Sequence, residues 1–119
     1  MNGKEYLDEL ERVKEDVEMI EKVENTYKVS LPKELRKIVS NANETVFLDG
    51  EKRILSIDEI QNADEELHVG FIDKSLLPIA DFCENNFLVF QISKNKWAKY
   101  NIIDNTIFKE RDTIDELLI

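Results

Sequence analysis

Two residue types that often build reactive or metal-binding sites are nearly absent from this 119-residue chain, which has one cysteine, Cys83, and one histidine, His68. A single cysteine excludes an internal disulfide and favours a reducing compartment. The count also excludes a structural zinc site built from cysteine and histidine. A nucleophilic pair of Cys83 with His68 is arithmetically available, but nothing in the residues around them supports it. We therefore expect no catalytic residue and no metal.

Glycine is also scarce, since only Gly3, Gly50 and Gly70 occur. They are too few to build a loop that cradles phosphate groups, and no Walker or dinucleotide-binding fingerprint is present. The acids of residues 58–66 lack the alternating spacing of a calcium loop. The sequence therefore predicts no cofactor and no enzymatic activity.

Long apolar runs are missing. None exceeds a few residues, far short of the roughly 20 that span a bilayer. Residues 1–6 lead into no apolar segment of the kind found in a signal peptide. We expect a cytoplasmic protein that does not bind membranes.

Basic residues are too few to balance the acids, because 16 lysines and arginines stand against 26 aspartates and glutamates, for a net charge of −10. Such a chain repels nucleic-acid phosphates and anionic membranes, but it attracts a basic protein. The alternative is that the acidity serves solubility alone. Trp97 and Tyr100 alternate with Lys96 and Lys99, which superficially suggests stacking on nucleic-acid bases. A half-buried strand explains the same pattern and fits the net charge better.

Hydrophobic residues make up 42% of the chain, enough for the core of one domain over residues 1–119. The clearest element is a long amphipathic helix over residues 1–24, with acids on its opposite face. Its predicted buried face comprises Leu7, Leu10, Val13, Val17, Ile20 and Val23.

A second helix should begin near Ser30-Leu31-Pro32, because proline fits a first helical turn. It should end in residues 40–43, where asparagine tolerates the left-handed conformation. Residues 46–48 and 53–55 are typical of two short strands around the turn Asp49-Gly50.

Ser56 and Glu59 have the spacing of a capping box, which predicts a short helix to about Ala63. Residues 64–74 are expected to form a surface loop. A second capping-box pattern, at Thr113 and Glu116, predicts a short closing helix.

The second half is typical of a β-meander, with turn residues between short apolar runs. The predicted fold class is α+β: a single antiparallel sheet of about five to six short strands, packed by N-terminal helices and a short C-terminal helix. The predicted meander strands are residues 77–80, 87–92, 97–103 and 106–109.

The order of these segments resembles the SUKH superfamily, of the Smi/Knr type, over roughly residues 15–118. The motifs that carry the resemblance are Leu31-Pro32 entering the second helix, Pro78-Ile79-Ala80 in a strand, and the Thr113-led closing helix. The chain departs from the family where glycine often follows the second helix, and in the loop of residues 81–86.

The resemblance implies a non-catalytic protein, most often an immunity protein that binds and neutralises a cognate toxin, often a nuclease. An acidic inhibitor suits a basic toxin domain, because it can occupy the site that phosphates would occupy. The alternative is a general protein-interaction module in a regulatory assembly. We predict no direct binding of nucleic acid, and the sequence does not indicate an oligomeric state. The acids expected to bind the partner are Asp58, Glu59, Asp64, Glu65 and Glu66, with Asp81 and Glu84 as second candidates.

Overall fold

The computed structural model describes all of residues 1–119 and contains five helices and six strands. The helices are α1 (Gly3–Leu10), α2 (Val17–Tyr27), α3 (Lys33–Ser40), α4 (Ile57–Leu67) and α5 (Asp115–Leu118). The strands are β1 (Val46–Leu48), β2 (Lys52–Ile54), β3 (Leu76–Asp81), β4 (Asn86–Gln91), β5 (Lys96–Asn101) and β6 (Thr106–Arg111).

The six strands form one sheet in chain order, and every neighbouring pair is antiparallel. Helices α1, α2 and α3 precede the sheet, α4 interrupts it after β2, and α5 follows it. The predicted α+β class, with a single antiparallel sheet and a C-terminal meander, is confirmed.

The connections of this sheet place three turns at the same end. In an antiparallel sheet that follows chain order, alternate connections lie at one end. We call residues 49–51, 82–85 and 102–105 together the turn end. The turns touch one another, because Cys83 Sγ lies 3.4 Å from the carbonyl oxygen of Glu51 and Ile102 N–H donates to Asn85 O at 2.9 Å.

The predicted helix over residues 1–24 is wrong in one respect, because the chain turns a corner between α1 and α2. A residue of α3 holds this corner, because Asp16 N–H donates to Ser40 Oγ at 2.8 Å. The Asp16 carboxylate also caps α2 by accepting from Met19 N–H. Val17 is therefore the first residue of α2 and is 65% exposed, not buried as expected. Leu10, Ile20 and Val23 are in the core as predicted, on two different helices.

Helix α4 begins at the predicted Ser56–Glu59 capping box, and both of its hydrogen bonds are present. It continues to Leu67, so the expectation of a loop from residue 64 is wrong for residues 64–67. The sequence offers neither proline nor glycine before Gly70 to stop the helix, which ends where His68 takes a left-handed φ of 55°.

The second helix is confirmed as α3, with Pro32 at its N-cap. It ends at Asn41 with φ of −97°, so the expected left-handed asparagine is not used there. The closing helix is confirmed as α5, but the Thr113 capping box does not form, because the helix starts after Ile114 without a side-chain cap.

The core joins both ends of the described chain. Tyr6 of α1 is fully buried, and α1 packs against α5. Gly3 makes this approach possible, since a Cβ atom there would lie 2.0 Å from the carbonyl oxygen of Leu118. Elsewhere the core contains α2 against α3 and α4, and Phe71 edge-on to Phe87 and Tyr100 with ring centroids 6.1 Å apart.

Candidate binding surface

Two of the predicted site residues, Glu59 and Asp81, meet at Arg53 on β2. Arg53 Nη1 donates to Glu59 Oε2, and Arg53 Nη2 lies 3.3 Å from Asp81 Oδ2. Thr45 Oγ1 donates to the other oxygen of Glu59 at 2.6 Å. Three segments distant in sequence are joined by this half-buried cluster, so Glu59 and Asp81 position the surface around them.

The environment of Glu59 strongly favours its ionised form. Partial burial alone would raise the pKa of Glu59, but hydrogen bonds from Thr45, Arg53 and the backbone of Ser56, together with the charge of Arg53, lower it to about 2. Glu59 therefore stays charged at any physiological pH, and Arg53 already occupies much of its hydrogen-bonding capacity.

Asp64 also has a structural role. Its carboxylate accepts hydrogen bonds from the backbone N–H groups of Phe71 and Ile72. These bonds fold the chain after α4 back onto the helix and help to place Phe71 in the core. Asp64 is therefore less available to a partner than the sequence suggested.

Four of the predicted acids are free. Asp58, Glu65, Glu66 and Glu84 are exposed, and no ion pair or side-chain hydrogen bond in the structure engages them. Glu65 and Glu66 lie in the last turn of α4, where the helix dipole favours bases and no base is present. The stability of α4 therefore does not explain why acids occupy these two positions.

The turn between β3 and β4 holds an unusual backbone. Cys83, Glu84 and Asn85 are three consecutive non-glycine residues with φ of 62°, 55° and 66°. Each left-handed residue of this kind costs on the order of 1 kcal/mol. The Asp81 carboxylate supports the turn by accepting from Cys83 N–H at 2.8 Å.

A small cleft connects α4 with this turn. It has a volume of about 70 Å³ and lies between the last turns of α4 and the ends of β3 and β4 that flank residues 82–85. Of the predicted acids, Glu59, Glu66 and Asp81 line this cleft, whereas Asp58, Asp64, Glu65 and Glu84 do not. The cleft is lined by Arg53, Leu55, Glu59, Ala63, Glu66, Leu67, Asp81 and Phe87.

Sequence reasoning missed Glu51, which is exposed at the turn end beside Cys83. The Cys83 Sγ lies 3.7 Å from the Glu51 carboxylate, and partial desolvation and this neighbouring charge raise the pKa of the Cys83 thiol. No hydrogen bond joins Cys83 to His68. The signal that could have found Glu51 was the meander itself, which brings residues 49–51 beside residues 82–85.

A larger groove lies elsewhere, with a volume of about 580 Å³ between α1, α3 and α5. Charges of both signs surround its apolar floor of Leu7, Leu10 and Ile119, and none of the predicted site residues lines it. One of its carboxylates, Glu34, has a pKa raised by desolvation and by Asp115, against a hydrogen bond from Trp97.

The structure decides between the two interpretations of Trp97 and Tyr100, a stacking surface for nucleic-acid bases or a half-buried strand. Trp97 and Tyr100 are each 2% exposed, so they pack within the fold and are not a stacking surface.

No group of three or more histidine, cysteine, aspartate or glutamate side chains is arranged to hold a metal ion. No helix has the length and apolar character needed to cross a membrane.

Fold and surface together define a small α+β protein, in which one antiparallel sheet and its helices carry exposed, unpaired acids on α4 and in the strained turn between β3 and β4. The chain belongs to the SMI1 / KNR4 family (SUKH-1), whose family model matches residues 14–118. The suspected superfamily is thereby confirmed, and α1 lies before the matched segment. Comparison with curated proteins and with solved structures gives no significant match.

Proposed function

We propose that this protein is a non-catalytic immunity protein, which binds a basic toxin domain in the cytoplasm and blocks it by occlusion. Family membership supports a protein-binding role of the immunity type. The observation that carries the proposal is the set of predicted acids that are exposed and unpaired: Asp58, Glu65 and Glu66 on α4, and Glu84 in the turn between β3 and β4.

The electrostatics favour a basic partner. The net charge of −10 attracts such a protein at long range, and the free carboxylates can pair with lysine and arginine on contact. A nuclease fits this chemistry well, because its own site is built to receive phosphate groups. Glu59 and Asp81 act indirectly in this proposal, by holding Arg53 and the two segments that carry the free acids.

The test compares two triple charge reversals of the protein. The face variant carries Glu65→Lys, Glu66→Lys and Glu84→Lys. The control variant carries Glu9→Lys, Glu18→Lys and Glu21→Lys, which makes the same change in net charge on exposed, unpaired acids of α1 and α2. The partner is captured from the cells of origin, produced separately, and assayed for toxicity and nuclease activity with and without this protein.

We expect the unaltered protein to abolish the partner's activity at a 1:1 ratio. The face variant should associate roughly tenfold or more slowly, and the control variant should change much less, as surface plasmon resonance would show. A partner that binds at this face but has no toxic activity would support the general interaction module instead. Equal slowing by both variants would remove the case for this face.

A further inference from the structure

A second surface of opposite charge lies on the sheet, on the strands beside the turn end. Lys52 Nζ lies 5.0 Å from the centre of the Phe82 ring, and Lys99 Nζ lies 5.4 Å from it. Lys109 is close enough that its charge acts on Lys99. We call Lys52, Phe82, Lys99 and Lys109 the lysine patch.

The register of the sheet places Lys52 and Lys99 on one face, and Lys109 directly follows Phe108, the residue paired with Lys99. Lys99 pairs with Leu88, Leu88 with Ala80, and Ala80 with Ile54. Directly paired residues share a face, and so do residues two apart on one strand. Lys52, two residues before Ile54, therefore lies on the same face as Lys99. Lys52 lies on β2, Lys99 on β5 and Lys109 on β6, and β3 and β4 lie between β2 and β5 in the sheet. The three lysines are therefore brought together only by the folded sheet.

The patch has no internal counter-charge. No ion pair in the structure involves Lys52, Lys99 or Lys109, although acids outnumber bases 26 to 16 in the chain. Desolvation, followed by the charges of Lys109 and Lys52, lowers the pKa of Lys99. The Phe82 ring partly compensates, because a cation over an aromatic ring gains some attraction. No ion pair within the structure offsets the remaining repulsion among the three lysines.

We propose that the lysine patch is a second recognition surface, which binds an acidic segment of a protein partner through several carboxylates. The lysines come from three different strands, so a chain bearing successive carboxylates can meet all of them. The exposed acids elsewhere and the net charge of −10 oppose an extended nucleic acid. Phe82 adds an apolar contact at the centre, and the patch does not depend on the immunity role.

The test uses a hexaglutamate peptide as probe and follows backbone amide signals by NMR during titration at low salt. The patch variant is Lys52, Lys99 and Lys109→Gln. The matched control is Lys14, Lys22 and Lys28→Gln, which removes three exposed, unpaired lysines of the helical part and changes the net charge equally. Inorganic phosphate is titrated in parallel, and thermal unfolding of each variant verifies folding.

We expect saturable shifts at the amides of the lysine patch, and binding about tenfold weaker in the patch variant with little change in the control. The patch variant should also unfold at the same or a higher temperature than the unaltered protein, because like charges have been removed. The proposal is overturned if hexaglutamate causes no localised shift or if both variants weaken binding equally. A phosphate response as strong as the hexaglutamate response would likewise overturn it, because it would indicate a site for small anions.

Discussion

At the scale of single residues, exposure decides what a substitution does, and Val17 and Val23 show the contrast. Val17 is 65% exposed at the start of α2, whereas Val23 is fully buried. Sequence periodicity alone placed both on one buried face, but α2 begins at Val17, after the corner, which leaves Val17 exposed and Val23 in the core.

We predict that Val23→Asp prevents stable folding and that Val17→Asp has almost no effect. A carboxylate forced into the core costs several kcal/mol, out of a total stability of about 5–15 kcal/mol. An acid in the first turn of a helix is tolerated or slightly favourable. Circular dichroism and urea unfolding of both variants provide the measurement, and similar losses in both would show that the position of α2 is wrong.

Glu59 gives the molecule a specific sensitivity to acid. Its pKa in the folded protein, about 2, is below the ordinary value of 4.5, so the folded state binds fewer protons between these values. Its contribution is complete above pH 4.5 and is lost as the pH falls towards 2. For a partly exposed group we expect about 1–2 kcal/mol.

Urea unfolding of the unaltered protein and of Glu59→Gln at pH 7 and at pH 3 would measure this contribution. The difference in free energy of unfolding between the two proteins should shrink at pH 3. A difference independent of pH would mean that the Arg53–Glu59 pair does not form as described.

At the scale of elements, α4 carries charges that oppose its own stability. Glu65 and Glu66 lie in its last turn, near the negative end of the helix dipole. We predict that Glu65→Lys with Glu66→Lys raises the free energy of unfolding by about 1 kcal/mol. Glu18→Lys with Glu21→Lys, nearer the start of α2, should lower it slightly or leave it unchanged. Thermal unfolding distinguishes the two, and a loss of stability in the α4 variant would show that these acids have stabilising contacts.

The docking of α1 on α5 depends on the absence of a side chain at Gly3. We predict that Gly3→Ala destabilises the protein by about 1–2 kcal/mol, because the clash with Leu118 outweighs the gain in helix propensity. Lys4→Ala, at the next and exposed position, is the control and should be nearly neutral. Hydrogen exchange should be faster throughout α1 in the Gly3 variant, and unchanged protection there would contradict the close approach.

Much of the fold was predictable from local signals, but the break between α1 and α2 was not. Capping residues located α4, and Pro32 located α3, because these signals act within a few residues. The corner before α2 depends on Ser40, 24 residues away from its partner Asp16. Local periodicity cannot report a hydrogen bond of that kind.

The candidate surface was predictable in charge but not in the role of each acid. The acids of residues 58–66 were recognisable as a run without bases. Their division into free and engaged side chains depends on Arg53 and on the backbone of Phe71, which only the folded chain brings close. The lysine patch could not be read from the sequence, because α4, β3 and β4 separate β2 from β5 and β6 along the chain.

At the scale of the whole molecule, the net charge of −10 acts on the approach of any charged partner. We predict that the rate of association with the captured basic partner falls steeply with added salt, while the rate of dissociation changes less. The reason is that salt screens charges beyond about 8 Å at physiological ionic strength. Surface plasmon resonance at several salt concentrations gives both rates, and an association rate independent of salt would contradict the electrostatic account.

The contact between α1 and α5 also affects when the core can be completed during synthesis of the chain. Helix α1 is synthesised well before α5, so the contact between the two helices cannot form until α5 has been made. At typical rates of translation, that delay is roughly 5 to 20 seconds. Throughout that time the surface of α1 that packs on α5 stays open to water and to chaperones. Synthesis of α5, more than formation of the sheet, is therefore the event that completes this part of the core.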